Sequence, residues 1–159
     1  MRGMYLSAAR SELFNQVLAE RVRDGSWDRP LAGDLMLLAG TRSHFLVEEL
    51  DDALRERAAS GDVTPSGPLW GLGEPATRAE PRALEQRVID AYASVAAGLE
   101  ASDLTQDRRA LRLWPRDFRW EWTPEGLSLN FWLPRGGYAT AVVRELAKTD
   151  RQEEETTGE

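Results

Sequence analysis

The sequence predicts an α+β fold in which helices come first and a pair of strands comes late. Through most of the first hundred residues, apolar side chains recur at spacings of three and four, which is typical of amphipathic helices. From Phe118 to Trp132, apolar and polar residues alternate instead, which is typical of a β-hairpin. The chain has 159 residues, of which 42% are hydrophobic, so it can fill a core. We expect one globular unit.

Three segments of the chain predict helices. The first runs from Ser7 to Arg23 and is ended by Gly25, because glycine readily adopts the backbone conformation that terminates a helix. The second runs from Glu49 to Ser60, and the third runs from Pro81 to Glu100, with a proline in its first turn. The inward stripe of the first helix comprises Leu13, Phe14, Val17, Leu18 and Val22.

Short apolar runs and turn residues predict the remaining elements. Asp34 to Leu38 and His44 to Val47 suit two strands around a turn, with Asp34 serving the turn through its own side chain. Pro65 to Pro75 contains three prolines and three glycines and is therefore predicted to be a loop. A final helix is expected from Tyr138 to Lys148, with its apolar face inward: Ala139, Val142, Val143 and Leu146.

Composition excludes several classes of protein. The chain has no cysteine and its only histidine is His44, so disulfides, thiolate chemistry, a serine triad and a multi-histidine metal centre are not available to it. No apolar run is long enough to span a membrane, and the residues from Met1 to Arg10 do not resemble a signal peptide. We therefore expect a cytoplasmic protein. The net charge of −7 is concentrated in the tail, residues 149–159, which is expected to be disordered.

Two blocks of sequence point to a known family. The opening block, YLSAARSELFNQVLAER from Tyr5 to Arg21, and the closing block, FWLPRGGYATAVVREL from Phe131 to Leu146, resemble the C-terminal portion of the tRNA pseudouridine synthase D family. Asp62 to Glu74 supports the resemblance. It implies that residues 1–113 are part of a family-specific, helix-rich insertion domain. Residues 114–148 would then be the C-terminal part of the catalytic domain, in which the chain returns to the pseudouridine-synthase catalytic sheet as a β-hairpin and a C-terminal helix.

The resemblance also implies a reaction. Members of the family isomerise a uridine of transfer RNA, by resemblance uridine 13, to pseudouridine, with no cofactor and no metal. The family's nucleophilic aspartate lies in a G-x-K-D element, whereas the only lysine here, Lys148, is followed by Thr149. We therefore predict that this chain alone is inactive and that its partners are transfer RNA and the missing N-terminal half of the same enzyme. The alternatives are a non-catalytic remnant that binds RNA or another protein, and a truncated gene product.

The closing block supplies the candidate substrate-binding residues. Tyr138 matches the aromatic position of the family's LPxGxYAT element and is implied to border the target uridine, the alternative being a core tyrosine that anchors the last helix. Gly136 and Gly137 allow a ligand to approach the backbone or the chain to turn sharply. Arg135 could meet a phosphate, and Thr140 could contact substrate, although capping of the helix is the role we favour for it.

Four tryptophans near the end of the chain allow two interpretations: Trp114, Trp120, Trp122 and Trp132. They could form a platform for stacking RNA bases. Because Trp120 and Trp122 share one face of the predicted hairpin with Phe118, we favour packing in a core.

Overall fold

The computed structural model describes residues 2–134 and 137–147. The chain divides into two compact units, Met1–Arg112 and Leu113–Glu159, and not into the single unit expected from its length. Helices and antiparallel sheets are both present, which confirms the α+β class. The assignment of the two parts to an insertion domain and a catalytic domain stays a prediction, and Lys148 and the tail lie outside the described residues. No helix among the described residues is long and apolar enough to cross a membrane.

The elements of the first unit are α1 (Arg2–Arg23), β1 (Leu35–Leu38), β2 (His44–Leu46), α2 (Asp52–Ala59), β3 (Val63–Leu69), α3 (Ala79–Ala91), α4 (Ala93–Glu100) and β4 (Asp107–Ala110). The strands form one antiparallel sheet in the order β2-β1-β3-β4. The strand pair predicted from the apolar runs is confirmed as β1 and β2, and the helix predicted at Glu49 is confirmed as α2.

β3 occupies a central position in this sheet, so the prediction of a loop from Pro65 onward was wrong for its first five residues. Val63 to Pro65 pair with β1, whereas Ser66 to Leu69 pair with β4. Pro65 lies at this change of partner: it pairs with Met36 of β1, and its carbonyl accepts from the Leu111 N–H at 2.9 Å, just after β4. A proline fits where the ladder changes partner, because it lacks the N–H that a continuous ladder would require.

Two helix predictions need correction. The predicted helix from Pro81 to Glu100 is interrupted at Tyr92, whose φ of −119° and ψ of 34° are not helical, and forms α3 and α4. In α1, Leu13, Phe14 and Val17 are buried as predicted, but Val22 is 53% exposed. Arg21 is buried in its place at 2% exposure, because it has a buried ionic partner described below.

Two main hydrophobic clusters form the core of the first unit. One joins α1, the end of β3, α3 and α4 through Leu13, Trp70, Ile89, Ala96 and Leu99. The other joins the first two strands, α2 and the start of β3 through Met36, Val47, Leu54, Ala58 and Val63. α1 packs directly against β3. A Cβ atom added at Gly67 of β3 would lie 3.0 Å from the Phe14 ring of α1 and 2.9 Å from the Leu111 side chain.

The second unit contains a hairpin and a helix. β5 (Arg116–Thr123) and β6 (Gly126–Trp132) pair around a turn at Pro124 and Glu125, which confirms the hairpin. The Phe118 and Phe131 rings stack with their centroids 5.5 Å apart. α5 (Ala139–Leu146) has no buried residue. The predicted inward face of this helix is therefore only half-buried at Val142 and Val143, and it is exposed at Ala139 and Leu146.

Candidate functional site

Tyr138 lies immediately before α5 as its N-terminal capping residue, with an extended backbone at φ −107° and ψ 121°. Its side chain is 65% exposed. The described residues do not bury this side chain, so the choice between a pocket role and a core role for Tyr138 stays a prediction.

The neighbouring candidates have distinct roles in the structure. The Gly137 N–H donates to the Pro134 carbonyl at 2.9 Å, and an added Cβ would lie 2.8 Å from the end of the Leu113 side chain, which would have to shift to admit it. Thr140 is exposed inside the first turn of α5 and makes no capping hydrogen bond, so the favoured capping role was wrong. Arg135 and Gly136 lie outside the described residues.

The tryptophans of the second unit are not packed in a core, contrary to the favoured interpretation. Trp120 is 63% exposed and Trp122 is 74% exposed, and both lie on the hairpin face that carries the stacked Phe118 and Phe131 rings. Trp132 and Trp114 are 51% and 37% exposed. The alternation correctly placed Trp120 and Trp122 on one face with Phe118, but the described part of this unit provides no second layer that buries this face.

The two arginines of the opening block serve the fold of the first unit. The Arg10 Nη2 donates to the carbonyls of Leu69 at 2.6 Å and Thr105 at 2.9 Å, which ties α1 to the end of β3 and to the segment before β4. Burial lowers the pKa of Arg10, an effect that the Asp107 carboxylate opposes and Arg109 reinforces. The guanidinium nevertheless remains charged near neutral pH.

Arg21 forms a buried two-pronged ion pair with Asp34, at 2.8 Å and 3.0 Å. The same guanidinium donates to the Ser26 carbonyl at 2.8 Å and 3.2 Å, and a carboxylate oxygen of Asp34 accepts from the Leu31 N–H at 2.8 Å. The predicted turn role of Asp34 is confirmed by that last bond. Because its carboxylate is buried and fully engaged, Asp34 is a structural residue in this arrangement.

A second buried ionic network was not predicted from the sequence. Glu85 in α3 accepts from Arg108 of β4 and from the Thr77 hydroxyl, both at 2.8 Å. Arg108 also donates to the Ser66 hydroxyl of β3 at 3.0 Å. These residues are far apart in the sequence, so no local pattern indicates that they meet.

Neither network has the composition of a metal centre. Among residues 2–134 and 137–147, no group of three or more histidine, cysteine, aspartate or glutamate side chains is arranged to hold an ion.

Comparison with known proteins gives a fold match and a family match. A crystal structure from Methanosarcina mazei, assigned by name to tRNA pseudouridine synthase D, superposes with a TM-score of 0.59 at 22% identity, over 86% of this chain and 36% of that chain. At that identity the likeness establishes the fold alone. The family model of tRNA pseudouridine synthase D matches residues 1–146, and the chain belongs to this family.

Named relatives show the same match over part of their length. The tRNA pseudouridine synthase D of Nitrosococcus oceani is 47% identical over 151 residues, which cover 94% of this chain and 42% of that protein. The protein of the same name from Xanthomonas axonopodis pv. citri is 50% identical over 148 residues, covering 91% of this chain and 40% of that protein. The chain thus spans about two fifths of the length of these relatives.

Proposed function

We propose that this chain is the C-terminal portion of a cytoplasmic tRNA pseudouridine synthase that isomerises uridine 13 of transfer RNA. The observation that carries the proposal is the family match over residues 1–146, which includes the block around Tyr138. The reaction breaks the bond between the ribose and N1 of uracil, turns the base and forms a bond from the ribose to C5, while C5 loses its proton and N1 gains one. It requires a carboxylate and a surface that holds the detached base, and it uses neither a metal nor a cofactor.

The chain contributes the surface for the base and not the carboxylate. The exposed Tyr138 ring, at the start of α5, is available to border the uridine. Aromatic rings stack on bases of any kind, with a contribution of about 1 to 3 kcal/mol per base. Gly137 keeps the adjacent backbone free of a side chain, and Arg135, Gly136 and Thr140 remain candidates for contacts with the substrate.

The nucleophilic aspartate is supplied by a second polypeptide segment in this proposal. This sequence contains no Lys-Asp pair and therefore no G-x-K-D element. The apolar hairpin face supports the idea that another protein segment packs here, because Trp120 and Trp122 remain 63% and 74% exposed. Exposed apolar surface of this kind is typical of a protein interface.

The experiment joins the two pieces. The chain is incubated with unmodified transfer RNA, alone and together with the part of the Nitrosococcus oceani relative outside the matched region. Pseudouridine is detected by a carbodiimide-dependent stop in primer extension. We expect no stop with the chain alone and a stop at uridine 13 with both pieces. Trp120→Glu should abolish the complex, whereas Glu121→Gln, on the opposite face of the hairpin, should preserve it.

Each outcome has a clear meaning. Pseudouridine formed by the chain alone would contradict the division of labour, and none formed by a stable complex of both pieces would contradict the synthase role. Binding of transfer RNA without isomerisation, both by the chain alone and by the two pieces together, would favour the alternative of a non-catalytic RNA-binding remnant.

Replacement of Tyr138 tests the aromatic contact within the reconstituted enzyme. Tyr138→Ala should lower turnover roughly 5- to 150-fold, because the base loses its stacking surface, a loss of about 1 to 3 kcal/mol. Tyr138→Phe should retain most activity, since the ring is preserved. The free energy of unfolding should change by less than about 0.5 kcal/mol in both variants, because the side chain is 65% exposed.

Tyr5 provides a matched control, since it is also 65% exposed but lies in α1. Tyr5→Ala should leave turnover unchanged. Equal activities of the Tyr5→Ala and Tyr138→Ala enzymes would contradict a role for Tyr138 in binding the substrate.

A further inference from the structure

A surface cavity of about 380 Å³ lies on the first unit, away from the closing block in sequence. Three stretches of chain contribute to it: the loop after α1, the helix α2 and the residues after β4. Its lining comprises Asp28, Arg29, Pro30, Arg55, Ala58, Ala59 and Arg112.

The lining combines small residues with arginines. Pro30 and Ala58 are buried and Ala59 is small, while three of the lining residues are arginines and one is an aspartate. Asp52, outside the lining, pairs with Arg55, so the arginines outnumber these carboxylates by three to two, whereas the whole chain carries a net charge of −7. A guanidinium can donate two parallel hydrogen bonds to a pair of phosphate oxygens. Because the cavity is open to solvent, it can admit a phosphate that is part of a continuous polymer.

We propose that this cavity binds a phosphodiester group of the RNA backbone. The choice of RNA as the polymer rests on the proposed function, whereas the preference for a phosphate rests on the arginines alone. Arginine contacts to phosphates position a nucleic acid without reading its sequence. The cavity therefore holds the transfer RNA in register while the base is handled elsewhere.

The loop wall of the cavity is held in place by a buried anchor. Arg21 donates to the Arg29 carbonyl at 3.3 Å and to the Ser26 carbonyl at 2.8 Å, and Asp34 fixes the Leu31 N–H. The backbone on both sides of Arg29 is thus tied to one buried ion pair. Arg21 is a positioning residue for this wall and does not itself contact the ligand.

The helix wall offers an exchangeable cation. Arg55 pairs with Asp52 at 2.7 Å, but the two side chains are 53% and 94% exposed. Exposed pairs of this kind are weak and screened by salt, so a phosphate can take the place of Asp52. Arg112 already makes a contact within the structure, so Arg29 and Arg55 carry the test.

The test measures binding of an unmodified transfer RNA transcript to the full chain by fluorescence anisotropy over a range of potassium chloride concentrations. The double variant Arg29→Gln and Arg55→Gln should bind at least tenfold more weakly at low salt. The slope of log affinity against log salt should become shallower by about one for each arginine removed. The control Arg42→Gln and Arg87→Gln removes the same charge from exposed positions outside the cavity and should bind nearly as well as the original chain.

Equal losses of affinity in the two double variants would overturn the proposal, because the effect would then depend on total charge alone. Absence of salt-dependent binding by the original chain would overturn it as well. Isomerisation by the reconstituted enzyme separates this proposal from the proposed function. An unchanged KM for the Arg29 and Arg55 variant would contradict RNA binding by the cavity and leave the synthase role intact. RNA binding that depends on these two arginines, without any formation of pseudouridine, would support the role of the cavity and contradict the synthase role.

Discussion

Replacing Asp34 with alanine is expected to lower the free energy of unfolding by about 3 to 5 kcal/mol, because the Arg21 guanidinium would remain buried without its counter-ion. The two side chains are 1% and 3% exposed, so water cannot replace the lost carboxylate. The Leu31 N–H would lose its acceptor as well. Urea denaturation of the full chain, followed by far-ultraviolet circular dichroism, measures the change.

An exposed ion pair provides the control for this variant. Asp62→Ala removes the partner of Arg57, but these side chains are 56% and 46% exposed, and the expected loss is about 0 to 1 kcal/mol. Replacing both buried partners, as Arg21→Met with Asp34→Leu, should recover much of the stability because no unpaired charge remains. If Asp34→Ala were as mild as Asp62→Ala, the buried pair would not be an anchor of the fold.

Replacing Gly33 with alanine is expected to cost about 3 kcal/mol or more, since two penalties coincide there. Its φ of +92° is unfavourable for a side-chain-bearing residue, and the new Cβ would lie 2.2 Å from the carbonyl oxygen of Arg78. That oxygen belongs to the backbone and cannot rotate away. Gly33 is also fixed by hydrogen bonds with Val47 at 2.8 Å and Arg78 at 2.9 Å.

Gly40 separates the two penalties. It also has a positive φ, +73°, but a Cβ atom added there would have no other atom within 4 Å, so Gly40→Ala should cost only about 1 to 2 kcal/mol. Thermal and urea unfolding of both variants measure the difference. Equal losses would show that a small backbone shift relieves the contact with Arg78.

The elements with a clear local period could be predicted from the sequence. Alternation from Phe118 to Trp132 indicated the hairpin, and the apolar stripe around Leu13 indicated α1. Both patterns depend on neighbouring residues within one element, so they need no knowledge of the rest of the chain.

The elements that depend on distant partners could not be predicted. β3 looks like a loop because of Pro65 and Pro68, and only its change of partner from β1 to β4 makes those prolines compatible with a sheet. Val22 fits the apolar stripe of α1 better than Arg21 does, yet the distant Asp34 decides which of them is buried.

The candidate site shows the same division. The closing motif singled out Tyr138, and the structure leaves its ring accessible. The arginines of the cavity carry no motif, because Arg29, Arg55 and Arg112 come from separate stretches of chain and meet only after folding. Trp120 and Trp122 were assigned to one face correctly, but their burial depends on whatever covers that face.

The change of partner along β3 also bears on the order in which the first unit assembles. The cluster around Met36 and Val63 is built from one short continuous stretch of chain and can close as soon as that stretch has left the ribosome. The cluster that contains Leu13 requires Leu99, so α1 must wait for α3 and α4 to be synthesised. During that interval the first half of β3 already has its partner, while the second half awaits β4. The strand thus marks the boundary between an early and a late stage of co-translational folding.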